Sequence, residues 1–159
     1  MTRPLTALAA LLLLTAPALA DGKIYVQLPE FGAFAGNEAE TLLEQVVLAN
    51  VVSSNCPDYA VTDAEWSLLT DSADLLARGE LGLSIDDYDR YFYAPAFDML
   101  DKPDTCAKEG PAVELVLEEL VYRGGSREPL ADQDAGYAAD QARTAAWDAA
   151  DAKRRSKSP

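Results

Sequence analysis

Cys56 and Cys106 are the two side chains of this sequence suited to redox, metal or cross-linking chemistry, and no histidine is present to assist them. They form no Cys-x-x-Cys motif, and no His or Lys cluster adjoins them to depress a thiol pKa, so a structural disulfide is expected rather than a redox pair. Closing a loop of about 50 residues stabilises a fold by roughly 4 kcal/mol in the chain-entropy account. Carboxylates are the other abundant chemical group. Glu114 and Glu118 share a helix face at i, i+4 and would form an acid dyad if buried, while Asp86, Asp87 and Asp89 crowd one turn. With 27 acidic residues such coincidences are cheap, and a solvated face is the simpler reading. The run Asp132-Gln133-Asp134-Ala135-Gly136 lacks the third oxygen ligand of a calcium loop, places Gly one position early and has no closing Glu. No serine-nucleophile motif, glycine-rich dinucleotide turn or phosphate loop occurs. The chain therefore reads as non-enzymatic, with no cofactor and no metal.

A disulfide requires an oxidising compartment, and the first residues supply the address. Arg3, the apolar run from Leu5 to Thr15 and the small-residue site Ala18-Leu19-Ala20 predict a signal peptide over residues 1–20, cleaved before Asp21. The expected location is the bacterial periplasm or the exterior. No later stretch is apolar enough to span a bilayer. Loss of the leader removes Arg3 and no acid, leaving 12 basic against 27 acidic side chains, a net charge of −15. That charge repels nucleic acid and anionic lipid, and it suits a soluble protein or one with a basic partner. Without histidine, titration is expected between about pH 5 and 3, with nothing between 8 and 6.

The elements that position these groups follow from apolar periodicity. Residues 23–36 predict an extended aromatic arm. Asn37 opens a first helix with Leu42, Leu43, Val46, Val47 and Val51 at helical spacing, ending near Ser53 before Cys56-Pro57. Thr62-Asp63-Ala64-Glu65 is a capping-box pattern for a second helix with Trp66, Leu69, Ala73 and Leu76 inside, running to Arg78 with Gly79 past its end. A third starts at Ser84 and is expected to kink or break near Pro95; a fourth opens at Gly110-Pro111 and ends at Gly124-Gly125. The predicted fold class is all-α: a small bundle of about four helices over residues 21–125, closed by the Cys56–Cys106 bridge. The Ala- and Asp-rich residues 126–159 are expected to be a weakly helical or disordered tail, since only Leu130, Tyr137 and Trp147 are large and apolar there.

Aromatic residues beyond the needs of a small core are the candidate partner-binding groups: Tyr25, Phe31 and Phe34 on the arm, Tyr91 and Tyr93 flanking Phe92, and Trp147 in the tail. A protein partner, unfolded clients or a second copy of the chain are the occupants expected. The segment from Asn55-Cys56-Pro57-Asp58-Tyr59 through Trp66 to Cys106-Ala107-Lys108 resembles the small periplasmic acid-stress chaperones of bacteria, which are exported, helical, acidic and closed by one disulfide. The arm, Pro95 and the tail lie outside that likeness. The resemblance implies a dimer that loosens in acid as carboxylates lose charge, exposing apolar helix faces to unfolding clients. Two functions thus stand at this level: a periplasmic accessory protein of unknown partner, and an acid-activated chaperone.

Overall fold

The computed structural model describes residues 22–32, 34 and 37–156; the expected leader lies outside them. Helix α1, Glu38–Asn55, is the centre of the body. Its apolar positions are too many for one stripe, so Leu42, Leu43, Val46, Val47, Ala49, Val51 and Val52 are all buried, against different neighbours. A 3₁₀ turn, Pro57–Tyr59, leads to α2, Asp63–Asp74, whose capping box is formed as expected: the Thr62 hydroxyl accepts from the Glu65 N–H at 3.2 Å and the Glu65 carboxylate accepts from the Thr62 N–H at 2.9 Å. The inner face of α2 is carried by Ala64, Leu68, Leu69 and Ala73, and Trp66, expected inside, is 43% exposed.

Helix α2 continues as a π-helical stretch, Leu75–Glu80, and Gly79 lies within it rather than past its end. The cap is made by Gly82 at φ +61°, where the Leu83 N–H reaches back to the Ala77 carbonyl at 2.8 Å and the Leu81 N–H to that of Leu76 at 2.9 Å. A side chain at 82 would be strained in that left-handed conformation. Ser84 caps the short α3, Ile85–Tyr88. A second π-helical stretch, Asp89–Tyr93, gives way to α4, Ala94–Leu100, so the change of helix type falls where Pro95 was expected to interrupt the run.

Helix α5, Thr105–Tyr122, begins before Gly110-Pro111 and takes Pro111 inside it, so the short piece around Cys106 and the expected fourth helix are one element. Gly110 is required there for packing: a Cβ would stand 2.1 Å from the Tyr59 ring. The sulfurs of Cys56 and Cys106 are 2.02 Å apart, joining the end of α1 to the first turn of α5, so the two helices run antiparallel. Leu43, Val46, Leu68, Leu76, Leu117 and Leu120 are fully enclosed between them and α2.

Five helices of seven residues or more occur among the described residues where about four were expected. The additional one is α6, Gln133–Arg155, in the segment whose composition suggested weak helicity or disorder. The Asp132 carboxylate caps it by accepting from the Ala135 N–H at 2.9 Å, Asp134 lies in its first turn, and Lys153, Arg154 and Arg155 close it in dipole-favourable order. The arm explains how this segment is placed. It runs beside the chain that follows α5, with an isolated bridge Val26–Pro129 and hydrogen bonds from Glu30 N–H to Arg123 O, Ser126 N–H to Gln27 O and Leu130 N–H to Tyr25 O.

Candidate functional site

Among the described residues, none covers the outward side of α1. α5 stands along one flank and the π-helical Asp89–Tyr93 with α4 along the other, which leaves a valley whose floor is α1. On the α5 side the groove has a volume of ≈ 710 Å³ and runs from Phe34, Glu38 and Arg123 at one end to Leu48 and Glu109 at the other. On the α4 side a second depression of ≈ 290 Å³ is lined by Tyr91, Phe92, Pro95 and Met99, and shares Gln45 and Leu48 with the first. Leu115, 64% exposed, and Tyr91, 59% exposed, are apolar groups standing in solvent on the two walls.

Sequence position explains both. The buried side of α5 is Val113, Val116, Leu117 and Leu120, and Leu115 is out of phase with it. Leu48 likewise falls outside the stripe formed by Leu42, Leu43, Val46 and Val47. Neither was singled out from the sequence, although an apolar residue out of phase with its helix was the available signal. Ala49 keeps the floor low and Ala112 the foot of the α5 wall narrow, while Glu38, Glu109 and Glu119 place carboxylates along the rim and Glu44 adds one beside the second depression. Arg123 is engaged within the site, on Glu119 at 2.7 Å and over the Phe34 ring at 5.4 Å.

Of the aromatic residues picked out by sequence, Phe34 and Tyr91 line this valley, and Phe31 packs on Phe34 with ring centroids 5.9 Å apart. Tyr93 turns to Tyr88, 5.1 Å between rings, and to Phe97. Tyr25 is buried beneath α6, edge-on to Tyr137, with Gln133 spanning its backbone N–H and carbonyl. Trp147 lies between the guanidinium groups of Arg78 and Arg143, at 5.0 and 5.6 Å. The structure therefore brings Phe31, Phe34 and Tyr91 to one side of the molecule, and places Tyr25 and Trp147 in the α6 junction.

That junction holds the most perturbed carboxylates. Lys23 contacts Asp71 at 2.8 Å and Asp140 at 3.4 Å. Burial pushes the Asp71 carboxyl up in spite of Lys23. Burial, then the nearby Asp71 carboxylate, push Asp74 up to about 6, against the pull of Arg78 and Lys23. Asp74 thus titrates around pH 6, above the window of about pH 5 to 3 that the sequence suggested for the carboxylates. Burial also drives the Tyr88 and Tyr93 phenols upward, with Asp74 adding to both. Glu114 is not half of a buried dyad: it is at the surface, bound by both nitrogens of the Arg127 fork, whose hydrogen bonds hold its carboxyl below the usual range. Among the described residues no group of three or more His, Cys, Asp or Glu is placed to hold a metal ion, and no helix is long and apolar enough to cross a membrane.

No protein-family model matches the chain, and comparison with curated proteins and with solved structures gives no match.

Proposed function

We propose that this is an exported, non-enzymatic accessory protein of the bacterial envelope that docks a protein partner in the valley over α1. The observation that carries this reading is the pair of depressions sharing Gln45 and Leu48, with Phe34, Leu115 and Tyr91 presented in one continuous surface. Exposed Leu and Tyr are unremarkable singly, but apolar groups gathered in a concave surface with a polar rim are the anatomy of a docking site. The disulfide and the absence of a membrane-crossing helix among the described residues are compatible with an exported protein. A photo-cross-linking residue at position 48 or 115, in the native host, should give the same discrete adduct from both positions and none from position 118, which is exposed on the side of α5 that faces Gly125 and Arg127. Equal labelling at all three positions, or none at 48 and 115, overturns the proposal.

Acid-activated client binding is the second reading, favoured by one observation: α6 is held to the body by carboxylates. Arg78 contacts Asp148 at 2.7 Å and Asp151 at 3.4 Å, and Lys23 reaches Asp140. Although some desolvation opposes them, Arg154 and Arg78 hold Asp151 below its ordinary value. Protonation at low pH would release these contacts and uncover Tyr25 and Trp147. Light scattering of an aggregating client at pH 3 and pH 7 tests it; protection confined to pH 3 supports the chaperone, and no protection at pH 3 removes it.

A further inference from the structure

We infer that the occupant of the α1 valley is an amphipathic helix of a partner protein carrying Lys or Arg beside its apolar stripe. This rests on the docking reading above and names the partner's chemistry. Glu38 to Ala49 along α1 covers about three turns, or roughly 16 Å at 1.5 Å per residue, which is the length of a helical segment of about 11 residues. The two walls are themselves helices antiparallel or adjacent to α1, so a third helix would lie in the furrow by the ordinary packing of ridges into grooves. Ala49 in the floor and Ala112 on the α5 wall leave room for a close axis, and Leu48 and Leu115 supply the apolar contacts. The rim sets the charge. Glu38, Glu44, Glu109 and Glu119 border the valley, and Arg123 among them is already engaged with Glu119 and Phe34. With 27 acidic residues against 13 basic in the whole chain, the surrounding field also favours a cationic segment and disfavours a second copy of this protein.

The test uses the full exported chain and three synthetic peptides of about 14 residues: a helix with a Leu stripe and Lys on its polar face, the same stripe with Glu in place of Lys, and a peptide of the first composition with the stripe scrambled. Titration followed by amide chemical shifts should show the first binding at the valley, at least tenfold more tightly than either control, and weakening as salt is raised. Leu115→Asp, at an exposed position that leaves the core untouched, should reduce that affinity at least tenfold. The pair Glu44→Lys with Glu109→Lys should reduce it while leaving the helical spectrum unchanged. Equal binding of the scrambled peptide, or shifts elsewhere on the molecule, overturns the inference. A dimer in sedimentation that Leu115→Asp dissolves also overturns it, since the occupant is then a second copy. If cross-links from positions 48 and 115 give a discrete partner but no peptide binds, the helical class is wrong and the docking reading stands.

Discussion

Helices α5 and α6 are both packed on the central body, by opposite means. α5 meets α1 and α2 through Val113, Val116, Leu117 and Leu120 and is fastened by the Cys56–Cys106 bridge. α6 has Gly136 as its one buried residue among those described, and it is held by Lys23–Asp140, Arg78–Asp148, the Gln133 contacts with Tyr25, and Trp147 between two guanidinium groups. An aliphatic interface is insensitive to salt and pH; a charged one is screened by the first and titrated by the second. The same chain therefore contains a fixed body and a conditional appendage.

The sharpest challenge to this contrast is truncation within the body. Leu43→Ala should cost about 2–5 kcal/mol and lower the thermal midpoint of the whole protein in one cooperative transition. If α1, α2 and α5 melted in separate steps in that variant, the body would not be a single unit. Reducing the disulfide should cost a comparable roughly 2–4 kcal/mol, and it should leave the α6 contacts unchanged in the folded state, well below the transition.

Acidity separates the two regions next. A carboxyl whose folded pKa is raised binds its proton more tightly in the native state. Its neutral form therefore supports folding at low pH, and the penalty for charge appears as pH rises through about 6 at Asp74. Unfolding free energy should rise by on the order of 1 kcal/mol between pH 8 and 5 and continue to rise toward pH 4, and Asp74→Asn should flatten this slope and raise stability at pH 8. Asp151 has the opposite sign: its pKa is depressed, so its contribution is present above the ordinary carboxyl range and is lost as pH falls below about 4. The profile should therefore peak near pH 4–5, and a monotonic loss from pH 8 downward would contradict the buried placement of Asp74.

The smallest expected effect belongs to α6. Trp147→Ala should lower global stability by only about 1 kcal/mol, since the ring has cations rather than a core around it. The change should instead increase hydrogen exchange through α6, and salt near 1 M should do the same in the unaltered protein by shortening the screening length to about 3 Å. A loss of several kcal/mol would show that α6 belongs to the body.

What the sequence disclosed follows from the same division. Elements stabilised by aliphatic periodicity, the bridge and the Thr62 capping box could be read directly, because a 3.6-residue repeat and a cap are local signals. Pro111 misleads about a boundary because a proline at the start of a helix and one tolerated within it look alike in one dimension, and Gly79 stands where a cap would, although Gly82 provides it. α6 was underestimated because its partners are charged and distant: no local pattern announces that Arg78 and Lys23 will meet Asp148 and Asp140. The valley was half legible. Phe34 and Tyr91 stand out as surplus aromatics, whereas Leu48 and Leu115, each out of phase with the apolar stripe of its helix, acquire meaning only once the neighbouring helices are in place.

The arm pairs residues near the beginning of the described chain with residues near its end, Tyr25 with Leu130 and Gln27 with Ser126. A ribosome delivers them in the reverse of the order in which they are needed. The helices α1, α2 and α5 have their apolar contacts with one another once residue 122 has been made, whereas the arm, carrying Ile24, Tyr25 and Val26, must wait for the segment after α5 to which it hydrogen-bonds. Assembly in time thus proceeds outward from the middle. The arm is thus made early and placed late, and the interval between the two is when a chaperone or a protease would find it.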